Sequence, residues 1–138
     1  MEVEPAGTVR YVLDGHVSCV AEARVHVRAF LASVGPPVDP ATVDSAQLAA
    51  SELVANAVQH APGQCTLLLN DDGRCLHIGV SDSSTEPPAV RDIDVYAGHG
   101  GAGLRLLRAL AGDVEVWIHG AGKTVSVAIE KSPRKPSS

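Results

Sequence analysis

Ser51-Glu52-Leu53-Val54-Ala55-Asn56-Ala57-Val58-Gln59-His60-Ala61 closes a run from Pro40 that contains no internal proline or glycine. Most of its residues are good helix formers, so the run predicts a helix over Ala41 to Ala61. Asp39 is placed to cap it, and Pro40 suits the first helical position, where an amide hydrogen would go unused. At ~100° per residue, Val43, Ala46, Ala50, Leu53, Val54, Ala57, Val58 and Ala61 share one broad apolar arc. Glu52, Asn56 and His60 are spaced i, i+4, i+8 and fall together on the opposite side.

Any amphipathic helix has a wet face, and that alone would account for a polar trio. The residue types argue for more. A solvated face mixes Lys and Arg with Glu, yet no Lys or Arg occurs from Val38 to Gly73. A carboxylate and an amide oxygen one turn apart are hard oxygen ligands, suited to Mg²⁺ and to a polarised water or hydroxyl.

The 138 residues make one domain, large enough to bury about two-thirds of the unfolded surface. Apolar residues are 45% and charged residues 20%, with a formal net charge of -5. That mildly acidic balance, with no Lys/Arg cluster, argues against direct nucleic-acid binding. No apolar run approaches the ~18 residues of a membrane span, and the N-terminus lacks a signal-peptide pattern. Cys19, Cys65 and Cys75 are odd in number and lack metal-like spacing, which points to reduced thiols and a cytoplasmic location. Cys65, Cys75 and His77 could be drawn as a zinc site; strand cysteines packed in a core are the preferred reading.

Along the chain, Met1 to Thr8 carries no pattern and is expected to fray. Val9 to Leu13 predicts a short strand. Ser18 to Ser33 predicts a helix capped by Ser18, with Val20, Ala23, Val27, Phe30 and Leu31 on its inner face. Arg24 and Arg28 would point outward as solvated charges, a partner contact being the alternative. Thr66 to Asn70 and Cys75 to Ser81 flank Asp71-Asp72-Gly73-Arg74 as a hairpin. The stretch from Asp82 to Gly103 is too long for an ordinary connection. Leu104 to Ala111 predicts a helix, and Val114 to His119 and Thr124 to Glu130 a second strand pair around Gly120-Ala121-Gly122-Lys123. Ser132 to Ser138 is a polar tail expected to be disordered. These elements make a two-layer α/β sandwich, helices on one face of a mixed, mainly antiparallel sheet.

Gly98-x-Gly100-Gly101-x-Gly103-Leu104 lies directly before the third helix. Glycines let a backbone approach a ligand, and a helix start offers unpaired amides and a positive dipole end, so this reads as a phosphate loop. A flexible linker would be equally glycine-rich. The spacing is neither that of a P-loop nor that of a dinucleotide fingerprint. Gly122-Lys123-Thr124 lies in a turn with no helix after it, so a P-loop is rejected there too.

From Val9 to Ile129 these features resemble the GHKL ATP-binding (Bergerat-fold) superfamily, and within it the anti-sigma-factor serine/threonine kinases. Glu52 to Ala61 is similar to that family's N box. The resemblance implies Asn56 as the Mg²⁺ ligand, Glu52 as the base that orients or deprotonates the acceptor hydroxyl, and His60 near the phosphates. Val80-Ser81-Asp82 is similar to the start of the first glycine box, whose Asp bonds the adenine amine. Gly98 to Leu104 is similar to the second box, so His99, Gly100, Gly101, Gly103 and Leu104 would wrap the phosphates. Gly122-Lys123-Thr124-Val125 is similar to the last motif, which would set Thr124 beside Asp82.

The first box departs from the pattern, because Ser84 and Glu86 stand where glycines would. What the resemblance implies is a histidine-kinase-like ATPase domain over residues 9–130 that binds ATP and Mg²⁺ and phosphorylates a STAS-type anti-anti-sigma protein. A sigma factor would be its other partner, and a homodimer is left open. The alternative is a non-catalytic anti-sigma-like binding module with weak or no nucleotide binding. Ser83 to Gly101, poor in apolar residues and rich in glycine, is expected to act as a lid that phosphate contacts order.

Overall fold

The run without proline or glycine is one helix, α2, Pro40–His60, preceded by β1, Val9–Leu13, and α1, Cys19–Ser33. Two strands follow, β2, Cys65–Asp71, and β3, Cys75–Asp82, and the sheet is completed by β4, Glu115–His119, and β5, Gly122–Glu130. The computed structural model describes residues 7–33, 38–60, 63–82, 114–119 and 122–131. The glycine loop, the lid segment, the helix expected over Leu104 to Ala111 and both tails beyond Gly7 and Lys131 lie outside the described residues.

Asp39 caps α2 as expected. Its carboxylate accepts the Thr42 N–H at 3.3 Å and its carbonyl accepts the Val43 N–H at 3.1 Å. The Thr42 hydroxyl, on a 3% exposed residue, donates to the Lys131 carbonyl at 2.8 Å and ties the start of α2 to the end of β5. Ala46, Ala49, Ala50, Leu53, Val54 and Ala57 are buried, while Val43 and Val58 are half-buried at the margins of the arc. Ser51 lies within this buried stretch, and its hydroxyl is satisfied by the Leu48 carbonyl one turn back at 2.9 Å.

Ser18 stands just before α1, its carbonyl accepting the Glu22 N–H at 3.2 Å. Asp14 does more to hold that corner, accepting the His16 N–H at 3.0 Å and the Cys19 thiol at 3.1 Å. Between them Gly15 has φ +90°, and a Cβ there would run into the Gly63 carbonyl. Gly15→Ala therefore combines left-handed strain with a backbone clash. It is expected to cost about 2 kcal/mol or more, read as a lowered denaturation midpoint; an unchanged midpoint would refute the close approach.

The strand order is β1-β2-β3-β5-β4, and every described ladder is antiparallel, so no parallel pair occurs among the described strands. Register assigns the faces, because side chains on opposed residues share one side. Tyr11, Leu67, Val80, Val125 and Val116 form one rung facing the helices, and Val9, Leu69, Ile78 and Val127 the next. Leu67, Leu69, Leu76 and Ile78 are completely buried against α2 and α1. The opposite face carries Arg10, Val12, His77, Glu115 and Trp117, with Val12 65% and Trp117 53% exposed.

At the β2–β3 turn, Gly73 has φ 95° and the two aspartates cap the amides. Asp71 accepts from Gly73 at 2.8 Å, and Asp72 accepts from Arg74 at 2.9 Å and Cys75 at 2.7 Å. The Cys75 amide, the His77 ring at 2.7 Å and the Arg74 amide hold the Asp72 carboxyl well below its ordinary range. A carboxyl lowered on folding stabilises the protein above its unfolded pKa and loses that contribution as pH falls through the folded one. Asp72→Asn is accordingly expected to flatten the acid limb of the stability–pH curve below about pH 4; an unaltered limb would refute the turn's role in acid unfolding.

Candidate functional site

Glu52 and Asn56, one turn apart on α2, are both half-buried, unlike the exposed Ala41, Asp44 and Gln59 of the same helix. Ser45, Gln47, Leu48 and Ala55 of the same helix are half-buried too, so the pair is set apart by its chemistry and its one-turn spacing rather than by its burial. His60 ends the helix, and only its backbone is described. His99, Gly100, Gly101, Gly103 and Leu104 lie outside the described residues.

Asp82 is the last residue of β3, on the rung Leu13, Cys65, Asp82, Lys123, Ile118, and faces the helix layer. It is 7% exposed. The expected neighbour in the last motif was Thr124, but register corrects that pairing. Thr124 is opposite Ser81, and Lys123 is opposite Asp82. The methyl of Thr124 lies 3.5 Å from where a Gly79 Cβ would stand, beside Ser126, which puts it on the face away from the helices. The expected four-residue turn is shorter than the motif suggested. His119 already pairs with Gly122, so Lys123 is a strand residue and alternation sends its side chain inward.

The Lys123 ammonium is 3.6 Å from Asp82 Oδ2, with 9% and 4% of the two side chains exposed. Sequence reasoning passed over this lysine. A signal in its favour is the alternation Val125, Val127, Ile129, which puts Lys123 on the same face; that Asp82 is what it meets needs the knowledge that β5 lies beside β3.

The thiols near this rung stay protonated. Burial pushes Cys65 up to about 11, and the negative charge of Asp82 and Asp14 adds to it. Burial raises Cys19 too, helped by its bond to Asp14, and burial raises Cys75. Cys65 and Cys75 stand at opposite ends of the β2–β3 ladder, opposite Asp82 and Glu130, and the His77 ring is taken by Asp72. These three therefore do not converge on one ion.

A helix layer bearing Glu52 and Asn56 over an antiparallel sheet in which β3 ends in a buried aspartate is a two-layer α/β architecture. The chain belongs to the histidine kinase-like ATPase domain family, whose model matches residues 16–129, within the GHKL superfamily that its motifs resemble.

Among solved structures it is similar to the RsbU and RsbW domains of Rv1364c from Mycobacterium tuberculosis, with TM-score 0.61 and 20% identity over 96% of this chain and 35% of that one. It is also similar to the histidine kinase domain of the blue-light activated histidine kinase EL346 from Erythrobacter litoralis, with TM-score 0.52 and 20% identity over 86% of this chain and 62% of that one. A third is the histidine kinase AdeS of Acinetobacter baumannii, with TM-score 0.54 and 16% identity over 89% and 68%. At these identities the likeness is one of fold. The chain spans about a third of the length of the first and under two-thirds of the second. A comparison with curated proteins gives no significant match.

No helix among the described residues is long and apolar enough to cross a membrane.

Proposed function

We propose that the protein is an ATP-dependent serine/threonine kinase and anti-sigma regulator acting on a STAS-type anti-anti-sigma protein. The observation that carries the reading is the half-buried Glu52–Asn56 pair on α2, in a chain of the histidine kinase-like ATPase family. The likeness to a structure that includes an RsbW domain supports it at the level of fold.

The donor set suits ATP with Mg²⁺. Asn56 supplies one hard oxygen, and Mg²⁺ ordinarily completes its shell with phosphate oxygens and waters rather than a protein cage. Asp82 would accept from the base, and the residues from His99 to Leu104, with His60, would meet the phosphates. The metal would neutralise charge on the transferring phosphoryl group. Glu52 would orient the partner's hydroxyl and take its proton as the oxygen attacks. Binding to a sigma factor would compete with binding to the unphosphorylated anti-anti-sigma partner.

One observation favours a second reading, a binding module with weak or no nucleotide affinity: Asp82 already faces the Lys123 ammonium. Mixing the protein with labelled ATP, Mg²⁺ and a candidate STAS partner separates the two. Label on a Ser or Thr of the partner is the expected result. A stable complex with no label supports the module, and no ATP binding at millimolar nucleotide removes the kinase altogether.

A further inference from the structure

The face of the sheet turned away from α1 and α2 carries two complete rungs. One runs from Val12 to Trp117 through Thr66, Ser81 and Thr124, and the next from Arg10 to Glu115 through Leu68, Gly79 and Ser126. Val12 and Trp117 end the first rung, 65% and 53% exposed. Arg10 and Glu115, both exposed and of opposite charge, end the second. Between these borders β2, β3 and β5 bring no charged side chain to either rung. Gly79, Ser81 and Ser126 keep the middle of the face low, while the longer side chains stand at its two edges. Charge held at the rim of a neutral middle is the layout of an interface rather than of a wetted sheet.

We propose that this face docks a second copy of the chain, the two sheets packed outer face to outer face about a two-fold axis that runs parallel to the strands over β3. β3 is the middle strand of the five, so this axis exchanges the edges and keeps each residue's level along the strands. The β1 border, with Arg10 and Val12, then faces the β4 border of the second copy, with its Glu115 and Trp117. Each contact occurs twice, as a closed two-fold interface requires. A two-fold axis across the strands would instead stack β1 on β1 and β4 on β4 and bring like charges together, so charge selects the first arrangement. Only the sign of Arg10 is used, and that residue also has an interaction within its own chain. Both helices pack on the other side of the sheet, so docking here leaves the Glu52–Asn56 face of α2 uncovered and does not depend on the nucleotide reading.

Sedimentation velocity on the whole protein from about 1 to 100 µM tests this, with a denaturation midpoint measured on each variant to confirm that it folds. The wild type is expected at twice its 14.3 kDa monomer mass. Trp117→Ala should weaken the dimer by about 10-fold or more, because an aromatic anchor is lost. Arg10→Glu and Glu115→Arg, each alone, should sediment as monomers, since each sets like charges against one another twice. Mixed in equal amounts, these two variants should pair, because each carries the sign that the other now lacks. A variant with both changes should dimerise by itself. Trp117 and Glu115 are exposed, so their variants decide the matter even where Arg10→Glu fails to fold. A wild type that stays monomeric overturns the proposal, as does a dimer that Trp117→Ala and Glu115→Arg leave intact. Variants that keep the dimer and lose a STAS-type protein instead overturn it too and assign the face to that partner. Folded single variants that stay monomeric both when mixed and when combined overturn the arrangement of the borders.

Discussion

Glu52→Gln is expected to leave ATP affinity nearly unchanged and to lower phosphoryl transfer to the protein partner by roughly 10²-fold or more. The substitution is nearly isosteric on a half-buried position of α2, so the buried Leu53 and Val54 beside it keep their packing. What it removes is a charge and the ability to take a proton. If Glu52 were only part of a helix flank, the variant would match the wild type in both measurements. If it helped hydrate Mg²⁺, binding and transfer would fall together. Asn56→Ala is the contrasting control, because loss of the proposed metal ligand should impair nucleotide binding itself. Equal losses of binding and transfer in Glu52→Gln would rule out the catalytic role while sparing the ATP site.

Asp82→Asn is expected to do two things at once. It removes the proposed acceptor for the base, and it strands the Lys123 ammonium, 9% exposed, opposite a neutral amide. Removing one member of a buried pair typically costs about 3–5 kcal/mol, because the remaining charge has lost its compensation. The stability loss should therefore be as plain as the loss of ATP binding. Combining Asp82→Asn with Lys123→Met takes away the orphaned charge and should recover most of the stability but none of the nucleotide affinity. Denaturant titrations of the single and double variants measure this coupling directly. A single variant as stable as the wild type would show that Lys123 does not depend on Asp82. A double variant no more stable than Asp82→Asn would show that the cost arises elsewhere.

Among the described elements α1 and α2 were the most legible, and the reason is local. Asp39 and Pro40 mark the start of α2, which runs Pro40–His60 against the expected Ala41 to Ala61, and α1 runs Cys19–Ser33 against Ser18 to Ser33. Caps and a 3.6-residue period act within a few residues, so composition alone specifies them. The Asp71 to Arg74 turn was legible for the same reason, since the aspartate carboxylates bond amides two and three residues on. Glu52 and Asn56 could be singled out because helix geometry places residues four apart on one face, though their half-buried setting depends on what α2 packs against.

The identity of the partner opposite Asp82 was not legible. Thr124 matched the motif, yet strand alternation turns it to the outer face and brings Lys123 inward. Local pattern marked the elements, the turn and a candidate helix face, and the motif resemblance marked Asp82. Which residue meets Asp82 was decided by the placement of β5 beside β3, strands that start 47 residues apart by their numbering, Cys75 and Gly122. A shift of one residue in that register would exchange Lys123 for Thr124 across the whole site, because side chains alternate with a period of two. The alternations Leu76, Ile78, Val80 and Val125, Val127, Ile129 mark the inward face of each strand, but neither strand says which residue of the other it will meet. That register is set by burial of Ile78 against Val127 and Leu76 against Ile129 under α2, a condition that exists only once the sheet and the helix layer have come together.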